Sequence, residues 1–353
     1  MRAIFRRITA VVVAIGACVG PAAGQDLYKA VAGPYKVQQR DEDWRDEARK
    51  RDVPVRVYVP REKERNAGIG ETTPREEKCP LIVFSHGMGA SRNSYGYICE
   101  HLASQGYVVI VPTHEGSDTE GVRKEIGDRV KKRLNGEGKP QEGLIQENTG
   151  NPENLRNRPK DISFVIDRVG KDAELSKIVD MGRIGVAGHS FGAYTAMAEG
   201  GMLVDLPEGK DQNLRDPRVR AVLPMSPEGH GIMGIDAGAW DRFAVPVLFL
   251  TGTQDYGQGQ RSAAWRREAF DAIKTVDEYL VVLDGAGHMT FGGGGRLEPG
   301  HARHIELIKS LTTAWFDVQL KGDQKAAAWL RDFAAGKHGG CKVEFKAAQA
   351  KSK

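Results

Sequence analysis

The serine at position 190 lies in a sequence context that can make it a nucleophile. It belongs to the segment Gly-His-Ser-Phe-Gly at residues 188–192, which follows an apolar run and precedes small residues from Ala193 to Ala198. This order predicts a strand, a sharp turn and a helix, with the serine exposed at the turn. The two glycines leave room where strand and helix must pass closely. Such a serine attacks an acyl carbon once a neighbouring base accepts its proton.

Two further residues could complete a proton relay with Ser190. Asp255 follows an apolar run at residues 245–250, and His288 follows the final apolar run in a glycine-rich loop. We expect His288 to take and later return the proton of Ser190, while Asp255 orients the imidazole and stabilises its charged form. Glu228, which follows the preceding apolar run, is the rival candidate for the acid.

Negative charge that develops on a carbonyl oxygen requires fixed N–H donors. One expected donor is the backbone N–H of Phe191, the residue after the nucleophile. The second should come from the loop at residues 86–89, where we assign it to the backbone of Met88. Three other histidines are expected to be structural, each holding a loop beside the site: His86, His114 and His189.

The elements that must position these residues alternate along the chain. Apolar runs predict strands at residues 53–59, 81–84, 107–111, 219–223, 245–250 and 278–283, besides the run before residue 188. Helices are predicted at residues 94–105, 161–169, 262–273 and 305–320, besides the one after Ser190. The alternation predicts an α/β fold with a mostly parallel central sheet and helices on both faces. Ser190, Asp255 and His288 would then lie at the carboxyl ends of strands, in the chain order of the α/β-hydrolase fold.

The remaining segments predict a single folded domain at residues 25–335. Residues 26–60 are expected to form a hairpin, with 53–59 as an edge strand, and residues 61–80 a surface loop. Residues 115–157 are polar and are expected to be a solvated insertion with one helix near 122–134. A flexible flap beside the site is the alternative for this insertion. Residues 336–353 are expected to be a loose tail.

The first 24 residues are typical of an export signal. They combine three arginines, an apolar core and a small-residue cleavage site, and the apolar run is too short to span a membrane. We therefore expect a secreted or periplasmic protein, with a lipoprotein anchored through Cys18 as the alternative. Removal of this segment leaves 48 basic and 47 acidic residues from a chain of net charge +4. This balance does not imply nucleic acid or an anionic membrane as a partner.

Three cysteines remain after the predicted signal. Cys79, Cys99 and Cys341 would permit one disulfide in an exported chain, and their spacing does not select the pair. No Cys/His spacing resembles a zinc site, so we expect neither a metal nor another cofactor. The expected partner is a small-molecule ester, and the oligomeric state is left open.

Several motifs together resemble a known group of enzymes. They lie at residues 84–89, 101–109, 188–192, 251–255 and 287–291. The chain resembles the exported serine α/β-hydrolases related to platelet-activating-factor acetylhydrolase, often called dienelactone-hydrolase-like. It is more distantly similar to cutinase-like polyesterases. This resemblance implies a metal-free carboxylic ester hydrolase that acts through an acyl-enzyme.

The chain departs from these groups at two positions. Dienelactone hydrolases use a cysteine nucleophile, whereas this chain has Ser190, so lactone chemistry is not implied. The acetylhydrolases place their acid one strand earlier, where this chain has Glu228 and no aspartate. This second departure favours Asp255, leaves Glu228 open and weakens the case for a phospholipid substrate.

Taken together, the sequence predicts a serine esterase for small or short-acyl esters. A polyesterase with an open cleft is one alternative, in which Trp240, Tyr256 and Trp265 line the cleft or else belong to the core. An acyltransferase would use the same acyl-enzyme with an alcohol acceptor. A non-catalytic binding protein that keeps the fold is the alternative from another class, and the presence of all three relay residues argues against it.

Overall fold

Alternating strands and helices build one central sheet in this protein. The computed structural model describes residues 27–62, 77–135, 143–294, 300–336 and 340–349. The strands are β1 Lys36–Asp46, β2 Arg51–Arg61, β3 Cys79–Ser85, β4 Val108–Pro112, β5 Val179–His189, β6 Leu203–Leu206, β7 Gly209–Asn213, β8 Val219–Met225, β9 Val247–Gln254, β10 Glu278–Gly287 and β11 Cys341–Lys346. The α-helices are α1 Gly96–Ser104, α2 Thr119–Leu134, α3 Leu144–Thr149, α4 Pro152–Lys171, α5 Leu175–Ile178, α6 Phe191–Gly200, α7 Glu268–Ala272, α8 His301–Lys321 and α9 Gln324–Ala334.

The sheet is parallel in its centre and antiparallel at its edges. Its order is β1-β2-β4-β3-β5-β8-β9-β10-β11, and the strands from β4 to β10 run parallel. These central strands are continuous apolar runs because helices cover both of their faces. Within the described residues this arrangement confirms the predicted α/β-hydrolase fold class, with a mostly parallel sheet.

Two apolar cores lie on opposite faces of the sheet. One contains buried residues of α4 and α6, and the other contains those of α1, α8 and α9. On α4 the buried positions Ile162, Val165, Ile166 and Val169 follow the helical period and face the sheet. The predicted amphipathic patterns at residues 161–169 and 305–320 are therefore confirmed as helical core faces.

The predicted N-terminal hairpin is present, but β1 and not the predicted segment 53–59 is its edge strand. β1 and β2 pair antiparallel along their whole length, from Lys36 opposite Arg61 to Asp46 opposite Arg51. Residues 53–59 lie in β2, which also pairs with β4, so they are not at the edge of the sheet. β1 forms the edge, and its largely polar sequence gives it little apolar alternation to predict. Of the surface loop predicted at residues 61–80, residues 63–76 lie outside the described residues.

The polar segment 115–157 contains more helix than expected. Helix α2 spans Thr119–Leu134 and confirms the helix predicted near 122–134, and α3 was not predicted. Helix α4 begins at Pro152, nine positions before the predicted start, so the insertion ends earlier than 157. The Asn151 side chain caps α4 by accepting from the Glu153 N–H, and Pro152 occupies a first-turn position that needs no N–H donor.

The C-terminal segment does not match the predicted loose tail. Residues 341–346 form β11, which pairs antiparallel with β10 from Cys341 to Lys346. The prediction that residues 278–283 form the last strand is therefore wrong, because the edge of β10 pairs with a further segment in which Cys341, Val343 and Phe345 alternate with charged residues. The helix predicted at 262–273 is divided into a 3-10 helix at Ala263–Arg267 and α7.

The fold places two of the three cysteines far apart. Cys79 is on β3 and Cys341 is on β11, five strands away, so about 24 Å separates them and a disulfide between this pair is excluded.

The predicted signal at residues 1–24 and the alternative anchor Cys18 lie outside the described residues. Among the helices that are described, none has the length and apolar character that crossing a bilayer requires.

Candidate active site

Ser190 lies at a strained turn between β5 and α6. Its φ and ψ are 55° and −122°, a conformation that non-glycine residues rarely adopt. A Cβ on Gly188 would collide with the carbonyl group of Gly192, and a Cβ on Gly192 would collide with the carbonyl of Ser85. Only glycine allows the strand, the turn and the neighbouring loop to approach so closely. The turn therefore has the geometry predicted from residues 188–192.

His288 lies between Ser190 and Asp255. It begins a 3-10 helix at His288–Gly292, directly after β10. Its Nε2 is 3.0 Å from Ser190 Oγ, and its Nδ1 is 3.0 Å from Asp255 Oδ1. The three residues follow β5, β9 and β10, and the fold brings them together at the carboxyl ends of these strands.

Asp255 is fully buried and has several donors around its carboxylate. Thr251 Oγ1 donates to Oδ2 at 2.9 Å, and Arg266 Nε lies 3.0 Å from Oδ1. Burial raises the pKa of Asp255, but the hydrogen bond from His288 and the charge of Arg266 outweigh it, and the net pKa is lowered. The carboxylate is therefore ionised at neutral pH.

Glu228 occupies a different electrostatic environment. It is buried after β8, with Oε1 3.8 Å from Arg266 Nη1, and Oε2 has no hydrogen-bond partner among the described residues. Burial raises the pKa of Glu228 to about 8, more than the charge of Arg266 lowers it. At neutral pH Glu228 is therefore mostly protonated, whereas Asp255 is ionised and hydrogen-bonded to His288.

The two backbone groups assigned to the oxyanion site belong to the residue after Ser190 and to the loop at residues 86–89. The Phe191 N–H is in the first turn of α6, where helical N–H groups have no partner within the helix. Gly87 lies against the serine, since a Cβ there would come within 3.5 Å of the Ser190 Cβ. The N–H groups of Gly87 and Gly89 donate within the protein. No hydrogen bond among the described residues uses the Met88 N–H.

His189 connects the loop at residues 86–89 to the His288 loop. Its Nε2–H donates to the carbonyl of His288 at 2.9 Å, so its Nδ1 is the acceptor for the Tyr95 hydroxyl at 3.0 Å. The same Tyr95 oxygen accepts the Gly87 N–H at 3.0 Å. Burial lowers the pKa of His189 to about 3, so the ring is neutral. This contact series agrees with the structural role predicted for His189.

His86 and His114 belong to a second buried network behind the loop. His114 Nδ1–H donates to Asp161 at 2.9 Å, and its Nε2 accepts from Ser85 Oγ at 2.9 Å. His86 Nε2 accepts the His114 backbone N–H at 3.0 Å. Burial lowers the pKa of both histidines, that of His114 to about 3. Both rings are therefore neutral and hold the loop in place, which agrees with the structural role that the sequence predicted for them.

Arg158 fastens this network to the helix that follows Ser190. Its guanidinium donates to the carbonyl of His86, to Ser85 Oγ at 3.1 Å and to Thr195 Oγ1 on α6 at 3.0 Å. It also lies 4.3 Å from the centre of the Phe191 ring. Burial lowers the pKa of Arg158 to about 9, which leaves it charged at neutral pH. Arg158 thus links the segment at Ser85 and His86 to helix α6.

The three aromatic residues considered for a cleft have different environments. Trp240 and Trp265 are buried, whereas Tyr256 is 59% exposed. Trp265 donates its indole N–H to the carbonyl of His230 and packs against Arg261 and Arg266. The structure therefore assigns both tryptophans to the core, and only Tyr256 can present an aromatic surface.

Sequence reasoning did not identify Arg158, Arg266 or Tyr95. Arg158 lies in a polar stretch, and Arg266 is one of two adjacent arginines. Nothing in their local sequence distinguishes them from solvated surface residues. They become part of the site because their partners come from other loops.

Comparisons with known proteins place the chain near one group. A family model for platelet-activating factor acetylhydrolase, isoform II, matches residues 62–132. The platelet-activating factor acetylhydrolase of Gallus gallus is 33% identical over 147 residues, covering 34% of this chain and 35% of that protein. The Bos taurus protein of the same name is 29% identical over 144 residues, covering 34% and 32%. The Canis lupus familiaris protein of that name is 31% identical over 144 residues, covering 34% and 32%.

The chain spans about a third of the length of these curated relatives. The matches confirm the resemblance to the acetylhydrolase group that the motifs indicated. The similarity to cutinase-like polyesterases and the predicted export stay predictions. The protein has the α/β-hydrolase fold and, within that superfamily, resembles the platelet-activating-factor acetylhydrolase group.

Proposed function

We propose that this protein is a serine carboxylic ester hydrolase that acts through an acyl-enzyme. One observation supports the proposal above all others: Ser190, His288 and Asp255 form a continuous series with two contacts of 3.0 Å. A nucleophile, a base and an ionised acid in this order are what acyl transfer by serine requires.

In the first half of the proposed reaction, Ser190 Oγ bonds to the ester carbonyl carbon. Its proton moves to His288 Nε2, and the Asp255 carboxylate stabilises the resulting imidazolium. The backbone N–H groups of Met88 and Phe191 hold the oxyanion of the tetrahedral intermediate. The bond to the leaving alcohol then breaks, and this alcohol takes the proton from His288.

In the second half, water replaces the alcohol. His288 accepts a proton from water, the resulting hydroxide attacks the acyl carbon, and the bond to Ser190 Oγ breaks as the serine regains its proton. The side chain of His288 is 32% exposed, which allows water to reach the base. This exposure supports hydrolysis over the acyltransferase alternative.

Small or short-acyl esters are the substrate class we propose. The relatives are named as acetylhydrolases of platelet-activating factor, and a short acyl group is the feature we transfer from those names. The polyesterase alternative has less support, because Trp240 and Trp265 are buried and cannot line an open cleft. The non-catalytic alternative has less support because the whole relay is present.

The location and partners of the protein also belong to this proposal. We propose secretion or a periplasmic location from the composition of residues 1–24, with lipidation at Cys18 as the alternative. The partner is a small-molecule ester, and no metal or cofactor has a role in the proposed steps.

A series of p-nitrophenyl esters from acetate to palmitate tests the proposal. Turnover should be greatest with acetate or butyrate and should fall steeply for longer chains. Added alcohol should leave free acid as the main product, since an acyltransferase would form a new ester instead. A rate that peaks at palmitate would contradict the short-acyl assignment, and absence of turnover from folded protein would contradict the function itself.

A further inference from the structure

Arg266 ties together the two loops that carry the candidate acids. It belongs to the 3-10 helix Ala263–Arg267, and its side chain is 2% exposed. Its guanidinium donates to four backbone carbonyls, those of Ser226 at 2.9 Å, Pro227 at 3.1 Å, Asp255 at 3.2 Å and Tyr256 at 3.0 Å. The first two follow β8 and the last two follow β9, so one side chain sets the spacing between these strand ends.

The same guanidinium contacts the two carboxylates unequally. Its Nε lies 3.0 Å from Asp255 Oδ1, whereas its Nη1 lies 3.8 Å from Glu228 Oε1. Asp255 also receives donors from Thr251 and His288, while one oxygen of Glu228 has no hydrogen-bond partner among the described residues. Two buried carboxylates beside one cation cannot both be ionised without a large desolvation penalty. The contacts favour Asp255 as the ionised one.

Arg266 also acts on the histidine. Its Nη2 lies 3.1 Å from His288 Nδ1, on the side of the ring that faces Asp255. A positive charge at this position opposes uptake of a proton by the Asp255–His288 pair.

Other ionisable groups also face this pair. Glu228 faces the pair from the β8 loop. Neutral His189 faces it from the end of β5, with its ring 4.7 Å from that of His288. The charge of Arg158 on α4 acts on Glu228. Arg266, by contrast, is the cation that directly contacts both Asp255 and His288.

We propose that Arg266 is a positioning residue that makes Asp255, and not Glu228, the ionised partner of His288. Arg266 does so by fixing the β8 and β9 loops at their present spacing and by placing its charge against Asp255. The raised pKa of the Glu228 carboxyl is consistent with this selection. The inference rests on the proposed hydrolase function, because it concerns the acid of that relay.

The decisive experiment measures kcat/KM for p-nitrophenyl acetate as a function of pH, in wild type and three variants. Arg266→Met should move the acid limb of the profile to higher pH by about one unit or more, because a cation beside the pair is lost. Arg266→Lys keeps a charge and should move the limb less. Glu228→Gln, which preserves shape beside the same arginine, should leave the limb where it is in wild type.

A lower rate in Arg266→Met with an unmoved acid limb would overturn the inference, because a merely structural arginine affects stability and rate without changing protonation.

Infrared spectroscopy covers the case in which Arg266→Met fails to fold. At pH 6, wild type and Arg266→Lys should absorb more strongly than Glu228→Gln in the carbonyl band of protonated carboxylic acids. Glu199 and Glu278 contribute to this band in all three proteins, so the difference reports Glu228 alone. Identical spectra in all three would also overturn the inference. Failure of the proposed function is distinguishable, since wild type itself would then show no turnover that depends on Ser190.

Discussion

His288 Nε2 lies 3.0 Å from Ser190 Oγ, although 98 positions separate the two residues along the chain. If this contact activates the serine, Ser190→Ala should lower kcat for p-nitrophenyl acetate by about 10⁴-fold or more, with only oxyanion and binding effects left. The matched control is Ser262→Ala, since Ser262 is exposed and its side chain makes no cap hydrogen bond. An active Ser190→Ala variant would exclude Ser190 as the nucleophile.

Replacing each candidate acid by its amide ranks their importance. Asp255→Asn should lower kcat by about 10⁴-fold, because an amide cannot hold His288 in the same tautomer or stabilise its charged form. Glu228→Gln should retain most of the activity at pH 7, because the protonated acid and the amide are both neutral. Steady-state kinetics on both variants, with melting curves to verify folding, give the ranking. The reverse order would assign the acid role to Glu228.

The buried Glu228 should make stability depend on pH. Its pKa is raised from 4.5 to about 8 in the folded protein, so the folded state binds a proton that the unfolded state has already released. The associated stability is fully present below about pH 4.5 and is lost as the pH rises through about 8. Glu228→Gln should therefore lose less free energy of unfolding than wild type between these values.

Urea denaturation of wild type and Glu228→Gln at pH 5 and pH 9 measures this difference. Glu199 and Glu278 also have raised pKa values, but they are present in both proteins and cancel in the comparison. Parallel loss of stability in the two proteins would show that Glu228 ionises normally.

The turn at Ser190 predicts a large difference between two glycine substitutions. Gly192→Ala should lower the free energy of unfolding by about 2–3 kcal/mol, because its Cβ would collide with the Ser85 carbonyl. Gly127→Ala is the matched control, since Gly127 is within α2 and a Cβ there meets nothing within 4 Å. That control should raise stability by up to about 1 kcal/mol. Equal effects in chemical denaturation would contradict the close approach at the turn.

Strand β11 predicts that the C-terminal segment supports the sheet. Its pairing with β10 is reinforced by a contact of Lys346 Nζ with the Glu278 carboxyl group at 2.8 Å and by an ion pair of Arg267 with Glu344 at 2.9 Å. Truncation after residue 336 should lower the melting temperature and promote aggregation, because it exposes the edge of β10. Truncation after residue 349 is the control and should leave the melting temperature unchanged. A stable, monodisperse protein ending at 336 would restore the prediction of a loose tail.

Much of this protein could be predicted from local sequence, because the relevant signals are local. Apolar runs of strand length identified the central strands, and helical periodicity identified α1 and α8 within a few residues but only the second half of α4. The glycines around Ser190 indicated the turn because a close approach excludes a Cβ at these positions. The positions of Ser190, Asp255 and His288 after three of the parallel strands could also be predicted, since parallel strands end at one edge of the sheet.

Tertiary structure decided what depends on contacts between distant segments. Asp255 and Glu228 both follow buried strands, and only the packed loops show that Asp255 reaches His288 while Glu228 is held 3.8 Å from Arg266. Strand β11 is a short run in which Cys341, Val343 and Phe345 alternate with charged residues, and its pairing with the edge of β10 gives this run its place in the sheet. The sequence by itself determined which residues could do chemistry and in what order they occur. The charge state of each acid depends on burial and on a cation from another loop, and these arise only when the chain is folded.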